Sequence, residues 1–333
     1  MIGKVNLKEY DDSITKFSDW IPYFGLITPH IFINKDDSLM TIFSYDSKNI
    51  TTDTTDIERL LKKISSGVGF WIDKNFRQNT TYCFIVWNPE IDKDNNILNY
   101  PIKTQKSNDT LTIFNDFIQK TFDTFKTFLP NVQIVKENDV LNVLMQVLTM
   151  QDEIAMPDMT LYLDCYLTQE HQYQKEDFYL KIDDYYLKNI RILGYSNHIV
   201  GYLLDYIVEH NILYRYTRRL LFLSEQDKND TQDRYFKKWC NAHKSFLNYL
   251  CIPKQQKAMY IDNTLTIYSK DKGILDEQVL DIEHLLNENY SIITISKNYN
   301  MGDVWYATLP AMFRNGYNHS LVGLSNIRSN LLL

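Results

Sequence analysis

The sequence predicts an α+β fold in which mixed, mainly antiparallel sheets are packed by helices. Short β-prone runs bounded by turn-forming residues alternate with longer segments that carry apolar residues at helical spacing. Gly and Pro are sparse, at 10 and 8 residues, so long disordered linkers are not expected. A chain of 333 residues fits about two domains, on a prior of roughly 150 residues per domain.

The first half is predicted to open with a β-hairpin, because the turn-forming run 34–38 lies between two β-prone runs. Pro130 is expected to end a long helix whose apolar residues recur at helical spacing, a stripe more typical of a core than of a docking groove. In chain order, the predicted elements are strands at 31–33 and 39–45, a helix from Thr54 or Thr55 to about Ile64, a strand at 81–87, a loop at 90–109, a helix from Thr110 to Leu129, and a helix through Val140, Val143, Leu144 and Val147.

The second half is predicted to be richer in strands. Its elements are strands at 160–167, 178–182 and 186–193, a helix capped by Ser196, a strand at 213–223, a long helix from about Thr231 to Leu250, a strand at 264–269, a helix at 273–287, and a strand at 291–296. If the long helix is an insertion, the order from residue 186 onward is β-α-β-β-α-β. That order is typical of a ferredoxin-like split βαβ unit.

These patterns divide the chain into four parts. They are an N-terminal arm at 1–18, a first α/β module at 19–155, a ferredoxin-like module at 156–300, and a terminal segment at 301–333.

The net charge of −7 argues against broad electrostatic binding of nucleic acid, which needs a positive surface. Two runs are candidates for a local basic patch: Arg215, Arg218 and Arg219, and then Lys237 and Lys238. Either run could equally be a solvated face or an ion-pair network.

The cysteines and the apolar runs predict a cytoplasmic chain, soluble or peripheral to a membrane. The four cysteines, with no C-x-x-C pair among them, are interpreted as reduced thiols. Residues 1–10 are polar and lack the apolar centre of a signal peptide. No apolar run approaches the length of about 20 residues that a membrane helix needs.

Motifs for phosphate and metal binding are missing or incomplete. No G-x-x-x-x-G-K-[ST] occurs, and the pair Gly67 and Gly69 has no third glycine at the spacing of a dinucleotide site. Cys240, His243 and Cys251 could suggest zinc, but a structural zinc site needs four ligands. A buried thiol and a hydrogen-bonded histidine are the preferred interpretation, so no metal is predicted.

Two N-terminal stretches have counterparts in a known family. They are Ile21-Pro22-Tyr23, and residues 31–43 around Lys35 with the turn Asp36-Asp37-Ser38. Together with three later stretches, they resemble the N-terminal region of CagE/TrbE/VirB proteins, the large ATPases of type IV secretion and conjugation machines. That family usually has Gly in the turn.

Further stretches extend the resemblance to most of the chain. Residues 190–195, with Gly194, are similar to a strand end of the family that precedes a helix. The family also has a Tyr-Arg-aromatic strand with a later Trp…Lys-Ser helix, and a Trp-x-x-x-Leu-Pro-Gly motif. The matching residues are Tyr214, Arg215, Trp239, Lys244, Trp305, Leu309 and Pro310, with Ala311 where the family has Gly.

The resemblance implies a docking module rather than an enzyme. In the family a Walker-bearing motor domain follows this region, so 301–333 would lead to an absent ATPase domain that alone binds ATP and Mg. The implied partners are small inner-membrane subunits of the secretion channel and other ATPase copies in a homo-oligomer, at the cytoplasmic face of the bacterial inner membrane. The matched residues are expected to determine the fold, with no catalytic, cofactor or metal role.

Two rival hypotheses stay open at this point. A free-standing ferredoxin-like nucleic-acid or nucleotide-binding protein would need exposed aromatic and arginine side chains, and Tyr214, Tyr216 and Arg218 alternate onto one strand face. An enzyme could use Asp281 and His284, which lie three residues apart on a predicted helix.

Overall fold

A computed structural model gives the fold of most of the chain. It describes residues 17–46, 55–75, 80–89, 108–129, 131–150, 162–176, 178–193, 197–231, 257–289, 293–295, 301–313 and 320–323. The helices are α1 Phe17–Trp20, α2 Thr55–Lys63, α3 Asn108–Phe128, α4 Asn138–Thr149, α5 Leu163–Thr168, α6 Asn197–Glu209, α7 Lys272–His284 and α8 Met301–Ala307. A π-helical turn, Leu285–Asn289, continues α7, and a further helix begins at 225 and is described to 231.

The strands form one antiparallel sheet. They are β1 Tyr23–Thr28, β2 Ile31–Asn34, β3 Leu39–Asp46, β4 Val68–Asn75, β5 Thr80–Trp87, β6 Gln133–Ile134, β7 Tyr173–Lys175, β8 Leu180–Ile182, β9 Tyr185–Leu193, β10 Tyr214–Phe222, β11 Ala258–Ser269, β12 Ile293–Ile295 and β13 Ser320–Gly323. Within the described ranges, the sheet has 13 strands in the order β1-β2-β3-β5-β4-β10-β11-β9-β8-β7, with β6 beside β3, β12 beside β9 and β13 beside β11. Every pairing between these strands is antiparallel, which confirms the predicted α+β class.

The pairing of β4 with β10 joins the two halves of the chain. Seven residue pairs connect these strands, from Arg215↔Asn75 to Leu221↔Gly69. Both predicted modules therefore contribute strands to the same sheet. The division at residues 155 and 156 stays a prediction.

Helices cover the sheet on both sides. We call the side to which Arg215 and Arg219 point the front face, and the opposite side the back face. On the front face, α1, α4, α5 and α8 contribute to a core around Trp71, Leu148 and Trp305. On the back face, α2 and α3 pack over the first strands, and α6 and α7 pack over β9, β10 and β11.

Most predicted elements are confirmed within a few residues. The hairpin joins β2 to β3 with Phe32 opposite Met40, and the long helix ends at Phe128, ahead of Pro130. Residues 90–107 of the predicted loop lie outside the described residues, and its predicted end at 109 is wrong because α3 already begins at Asn108. The helix predicted from Thr231 to Leu250 lies outside the described residues after 231, and a helix is present from 225.

The strand predicted at 160–167 is wrong. Its described part contains the helix α5, with Tyr162 at the N-cap. Leu163, Tyr166 and Leu167 are buried in the front core at a spacing of three and four residues, which is the period of a helix.

Gly69 on β4 makes room for an aromatic ring, and this gives a first prediction. A Cβ atom at residue 69 would lie 2.5 Å from Cζ3 of Trp71 and 2.9 Å from Cδ2 of Leu221. Because Trp71 is fully buried, Gly69→Ala is expected to lower the free energy of unfolding by about 1–3 kcal/mol, measured by urea denaturation. Gly25→Ala on β1 is the matched control, since a Cβ there meets nothing within 4 Å. Equal stability of the two variants would contradict the prediction.

Candidate functional site

A buried ion pair connects β4 to β10 on the front face. Nε of Arg215 donates to Oδ2 of Asp73 at 2.8 Å, and Thr217 donates its hydroxyl to the same oxygen at 3.1 Å. The side chains of Arg215 and Asp73 are 1% and 4% exposed. Thr217 lies directly opposite Asp73 in the ladder, so the strand register itself brings these groups together.

A second buried group continues this line across β10, β11 and β9. Nη2 of Arg191 lies 3.2 Å from both carboxylate oxygens of Asp262, and Nη2 of Arg219 donates to Oδ2 of Asp262 at 3.1 Å. Burial lowers the pKa of Arg219 from its ordinary value, and the Asp262 carboxylate opposes this change. We call the five residues Asp73, Arg191, Arg215, Arg219 and Asp262 the polar seam.

The polar seam holds the segment that follows α8. Arg215 donates to the backbone oxygen of Thr308 at 3.2 Å and to the Thr308 hydroxyl at 3.2 Å. Arg219 donates through Nη1 to the backbone oxygen of Met312 at 3.1 Å. Two motifs of the family resemblance, the Tyr-Arg strand and the Leu-Pro segment, are therefore in direct contact. The contacting residues Arg215 and Thr308 are 93 residues apart in the sequence.

The Leu-Pro motif forms a tight turn between these two anchors. The N–H of Met312 donates to the backbone oxygen of Leu309 at 3.2 Å, with Pro310 and Ala311 at the central positions. Ala311 has φ 73°, in the left-handed region. Proline followed by a residue with positive φ is the arrangement of a type II turn, which favours Gly at the second central position. The turn thus accounts for the glycine that the resembled family has here.

Ala311→Gly is therefore expected to stabilise the protein slightly. A left-handed non-glycine residue costs roughly 1–2 kcal/mol, and glycine gives back about 0.5–1 kcal/mol through the entropy of the unfolded chain. We expect a net gain of about 0.5–1 kcal/mol in the free energy of unfolding, measured by urea denaturation. The matched control is Ala258→Gly on β11, because glycine inside a strand should cost about 0.5–1 kcal/mol. A loss of stability in Ala311→Gly would contradict this account of the turn.

Trp305 fixes α8 to the front face. Its side chain is fully buried, and its ring centroid lies 6.0 Å from those of Phe17 and Tyr173. Phe17 and Tyr173 stack on each other at 5.1 Å, and Trp20 meets Tyr306 edge-on at 5.4 Å. These rings join α1, the edge strand β7 and α8 into one aromatic cluster.

Lys35 secures the first hairpin. Its Nζ donates to the backbone oxygen of Ser18 at 2.8 Å and forms an ion pair with Oδ2 of Asp164 at 2.7 Å. Its backbone N–H donates to the carbonyl of Pro22 at 2.8 Å. In the adjacent turn Asp37 has φ 59°, so an aspartate takes the left-handed conformation where the family usually has Gly.

Three other residues of the family resemblance are buried, and three lie outside the described residues. Leu309 is fully buried, Pro310 is buried, and Tyr214 is 1% exposed on the back face. Burial, aided by the charge of Asp205, raises the pKa of Tyr214 to about 12. Gly194, Trp239 and Lys244 lie outside the described residues.

The basic run of β10 is an ion-pair and hydrogen-bond network rather than a surface patch. Tyr216 and Arg218 are 0% and 1% exposed, and both donate to Oδ1 of Asn263, at 2.8 and 2.9 Å. These side chains and Tyr214 are not available to stack on nucleic-acid bases, so the strand face on which the binding hypothesis rested is absent. The second basic run, at 237–238, lies outside the described residues.

The proposed acid–base pair is also not formed. Asp281 and His284 are exposed on α7, and Nδ1 of His284 lies 3.3 Å from Oε1 of Glu288. Cys240, His243 and Cys251 lie outside the described residues, and the part of the chain that is described holds no group of three His, Cys, Asp or Glu side chains placed for a metal. None of the described helices combines the length and the hydropathy needed to cross a bilayer.

Exposed apolar side chains mark two surfaces that the sequence analysis did not identify. On β1 and just before α5, Phe24 is 43% exposed and stacks on Tyr162 at 4.9 Å, near Leu26 and Ile27. On the outward sides of α6 and α7, the exposed apolar residues are Tyr202, Val208, Ile274 and Leu280. Apolar residues on the side of a helix opposite its core stripe were the signal that could have identified the second surface.

A comparison with protein-family models gives a match. The family model of the CagE, TrbE, VirB family, described as a component of the type IV transporter system, matches residues 130–317, more than half of the 333 residues. The matched range contains the polar-seam arginines and the Leu-Pro turn, while Pro22 and Lys35 precede it. A search of the curated proteins found no match.

Proposed function

This chain belongs to the CagE, TrbE, VirB family of type IV transporter components, and we propose that it is the docking and assembly module of a type IV secretion or conjugation ATPase. In this proposal it contacts small inner-membrane subunits of the channel and other copies of the ATPase. It works at the cytoplasmic face of the bacterial inner membrane. Catalysis does not take place in this chain, and ATP and Mg²⁺ bind in a motor domain that follows it in the family.

The structural roles of the residues that carry the family resemblance support the proposal. Arg215, Trp305, Leu309 and Pro310 are buried, and Arg215 and Trp305 hold the segment after residue 300 against the sheet. Such contacts build a scaffold. The chemistry of a motor would need a phosphate-binding loop, whose motif the sequence lacks.

The exposed apolar residues support a role in binding other proteins. Contiguous apolar surface on a soluble domain commonly marks a protein–protein contact. Both surfaces of this kind, around Phe24 and along α6 and α7, lie on regular elements, which suits rigid docking.

We also propose that the second half is a ferredoxin-like unit. The antiparallel order β12-β9-β11-β10, with α6 after β9 and α7 after β11, supports this description. Helices on one face of such a unit leave their outward sides available to a partner.

Co-purification from a host that carries its own type IV system tests the docking role. The tagged chain is extracted with a mild detergent, and the proteins retained with it are identified by mass spectrometry against a tag-only control. We expect enrichment of small inner-membrane channel subunits and of the full-length ATPase. Their absence from a folded, membrane-extracted sample would overturn the proposal, as would ATP hydrolysis by the purified chain at the rate of a motor enzyme.

A further inference from the structure

We infer that the outward sides of α6 and α7 bind a basic amphipathic segment that a membrane partner presents on the cytoplasmic side of the bilayer. This inference rests on the proposed function and assigns it a surface and a partner chemistry. We call the surface the acidic–apolar face. It consists of Tyr202, Asp205, Val208 and Glu209 on α6, and of Ile274, Glu277, Leu280 and Asp281 on α7 with Glu288 beyond it.

The two helices form one layer. Residues of both, among them Leu203 and Ile207 of α6 and Leu275 and Val279 of α7, belong to a single core cluster on the back face. Each helix has 13 residues, a length of about 20 Å. Their opposite sides therefore face away from the sheet over the same three strands.

Two large apolar side chains are exposed on the outward side of each helix. Tyr202 and Val208 are 64% and 48% exposed, and Ile274 and Leu280 are 51% and 53% exposed. Residues six apart on a helix lie about 120° apart around its axis, so each apolar pair spans the outward side of its helix rather than forming a single line. About half of each of these side chains stays in contact with water, and an apolar partner side chain would remove that surface from water.

All ionised side chains interleaved with these residues are carboxylates. Asp205 lies three residues after Tyr202 and three before Val208, and Glu277 lies midway between Ile274 and Leu280. Lys272, the first residue of α7, is paired with Glu176, and beyond it the sequences 197–209 and 273–289 contain no lysine or arginine. Among the described contacts, no lysine or arginine pairs with Asp205, Glu209, Glu277, Asp281 or Glu288.

Asp276 shows how an acid on α7 behaves when the chain itself neutralises it. Lys188 and Tyr179 both donate to its carboxylate. Burial opposes its ionisation, but the two hydrogen bonds outweigh that effect and hold the pKa of Asp276 below its ordinary value. Among the described residues, no lysine or arginine neutralises the carboxylates of the acidic–apolar face, and only Glu288 contacts a histidine, His284, so a basic partner could pair with them.

The long helix α3 provides the contrast. It also covers the back face, but its exposed charges are of both signs, with Asp116 and Asp123 beside Lys120 and Lys126. It has no strongly exposed large apolar residue. That is an ordinary solvated surface, and the acidic–apolar face differs from it in both respects.

The charge of the face selects the partner. Cytoplasmic segments next to membrane helices carry an excess of Lys and Arg, so they are complementary to it. An anionic lipid surface or a nucleic acid would be repelled. Two copies of this chain meeting through the same face would place carboxylates against carboxylates. A partner helix with Leu and Lys at i, i+3 and i+4 would match both the apolar and the acidic positions.

A peptide-binding experiment tests the inference. The probe is a fluorescent helical peptide of about 18 residues with leucines on one side and lysines flanking them. The control peptide has glutamate in place of each lysine. Anisotropy titrations with the full chain are expected to show binding of the lysine probe only. The double variant Glu277→Lys/Asp281→Lys should weaken that binding at least about tenfold, and Leu280→Ser, which leaves the charge unchanged, about threefold or more.

Asp116→Lys/Asp123→Lys on α3 is the matched control, because it changes the net charge by the same amount at another surface. It should change the affinity less than about twofold. Equal weakening by this control, or unchanged binding in either variant of the acidic–apolar face, would overturn the inference. Co-purification separates it from the proposed function: if the double variant still retains the channel subunits, the docking role stands and the face is wrong. If the unaltered chain retains none, the docking role itself fails.

Discussion

Arg215→Ala is expected to lower the free energy of unfolding by about 3–5 kcal/mol, because it leaves the Asp73 carboxylate buried without its cation. Asp73 is 4% exposed, and of the hydrogen bonds described for its carboxylate only the one from the Thr217 hydroxyl would remain. The backbone oxygen of Thr308 would lose its donor as well. Urea denaturation followed by tryptophan fluorescence measures the change.

Two comparisons separate this effect from general damage. The double variant Asp73→Asn/Arg215→Met removes both charges, so it should recover part of the stability that Arg215→Ala loses. Lys270→Ala removes one partner of an exposed pair with Asp184 and should change the free energy of unfolding by less than about 0.5 kcal/mol. If Arg215→Ala lowers the free energy of unfolding no more than Lys270→Ala does, the buried ion pair does not join the two halves of the sheet.

Trp305→Ala is expected to cost about 3–5 kcal/mol, the range for removing a large buried aromatic side chain. The indole is fully buried against Phe17 and Tyr173, and it lies in the short helix α8, which is followed by the segment that the polar seam holds. The cavity would be lined by the rings of Phe17 on α1 and Tyr173 on β7. We expect a lower Tm together with faster hydrogen exchange at 301–313.

Tyr202→Ala is the control for this truncation, because Tyr202 is 64% exposed on α6. It should shift the free energy of unfolding by less than about 0.5 kcal/mol. Hydrogen exchange at 301–313 that stays slow in Trp305→Ala would show that the seam arginines alone hold the segment.

The elements that local patterns determine were predictable. The hairpin of β2 and β3 has turn-forming residues between two apolar runs, and α3 has an apolar stripe ended by Pro130. Both signals lie within a window of about 20 residues, over which turn chemistry and helical period act. The strand β9 and the helix α6 after it are of the same kind.

The elements that depend on distant partners were not predictable. The strand β4 was missed because its buried face carries Asp73, a residue that strands disfavour, and its neutralising arginine lies 142 residues away. α5 was taken for a strand because it has only six residues, and its aromatic and apolar residues also suit a strand. Tertiary packing decides both cases.

The same limit applies to the candidate site. The sequence left three interpretations of Arg215, Arg218 and Arg219: a basic patch, a solvated face or an ion-pair network. Only the register of β10 with β4 and β11 places Asp73, Asn263 and Asp262 against them. The family resemblance identified Trp305 and Pro310. The structure explains why Pro310 is at its position, since the turn between Thr308 and Met312 is anchored at both ends by the polar seam.

The pairing of β4 with β10 also means that β4 must wait for its partner strand during synthesis of the chain. Ribosomes add about 5–20 residues per second, so the 142 residues from Asp73 to Arg215 take roughly 7–28 s to emerge. During that interval the edge of β4 that will pair with β10 is open, and Asp73 lacks its arginine. A holding chaperone that shields this edge would protect the nascent chain from aggregation until β10 arrives.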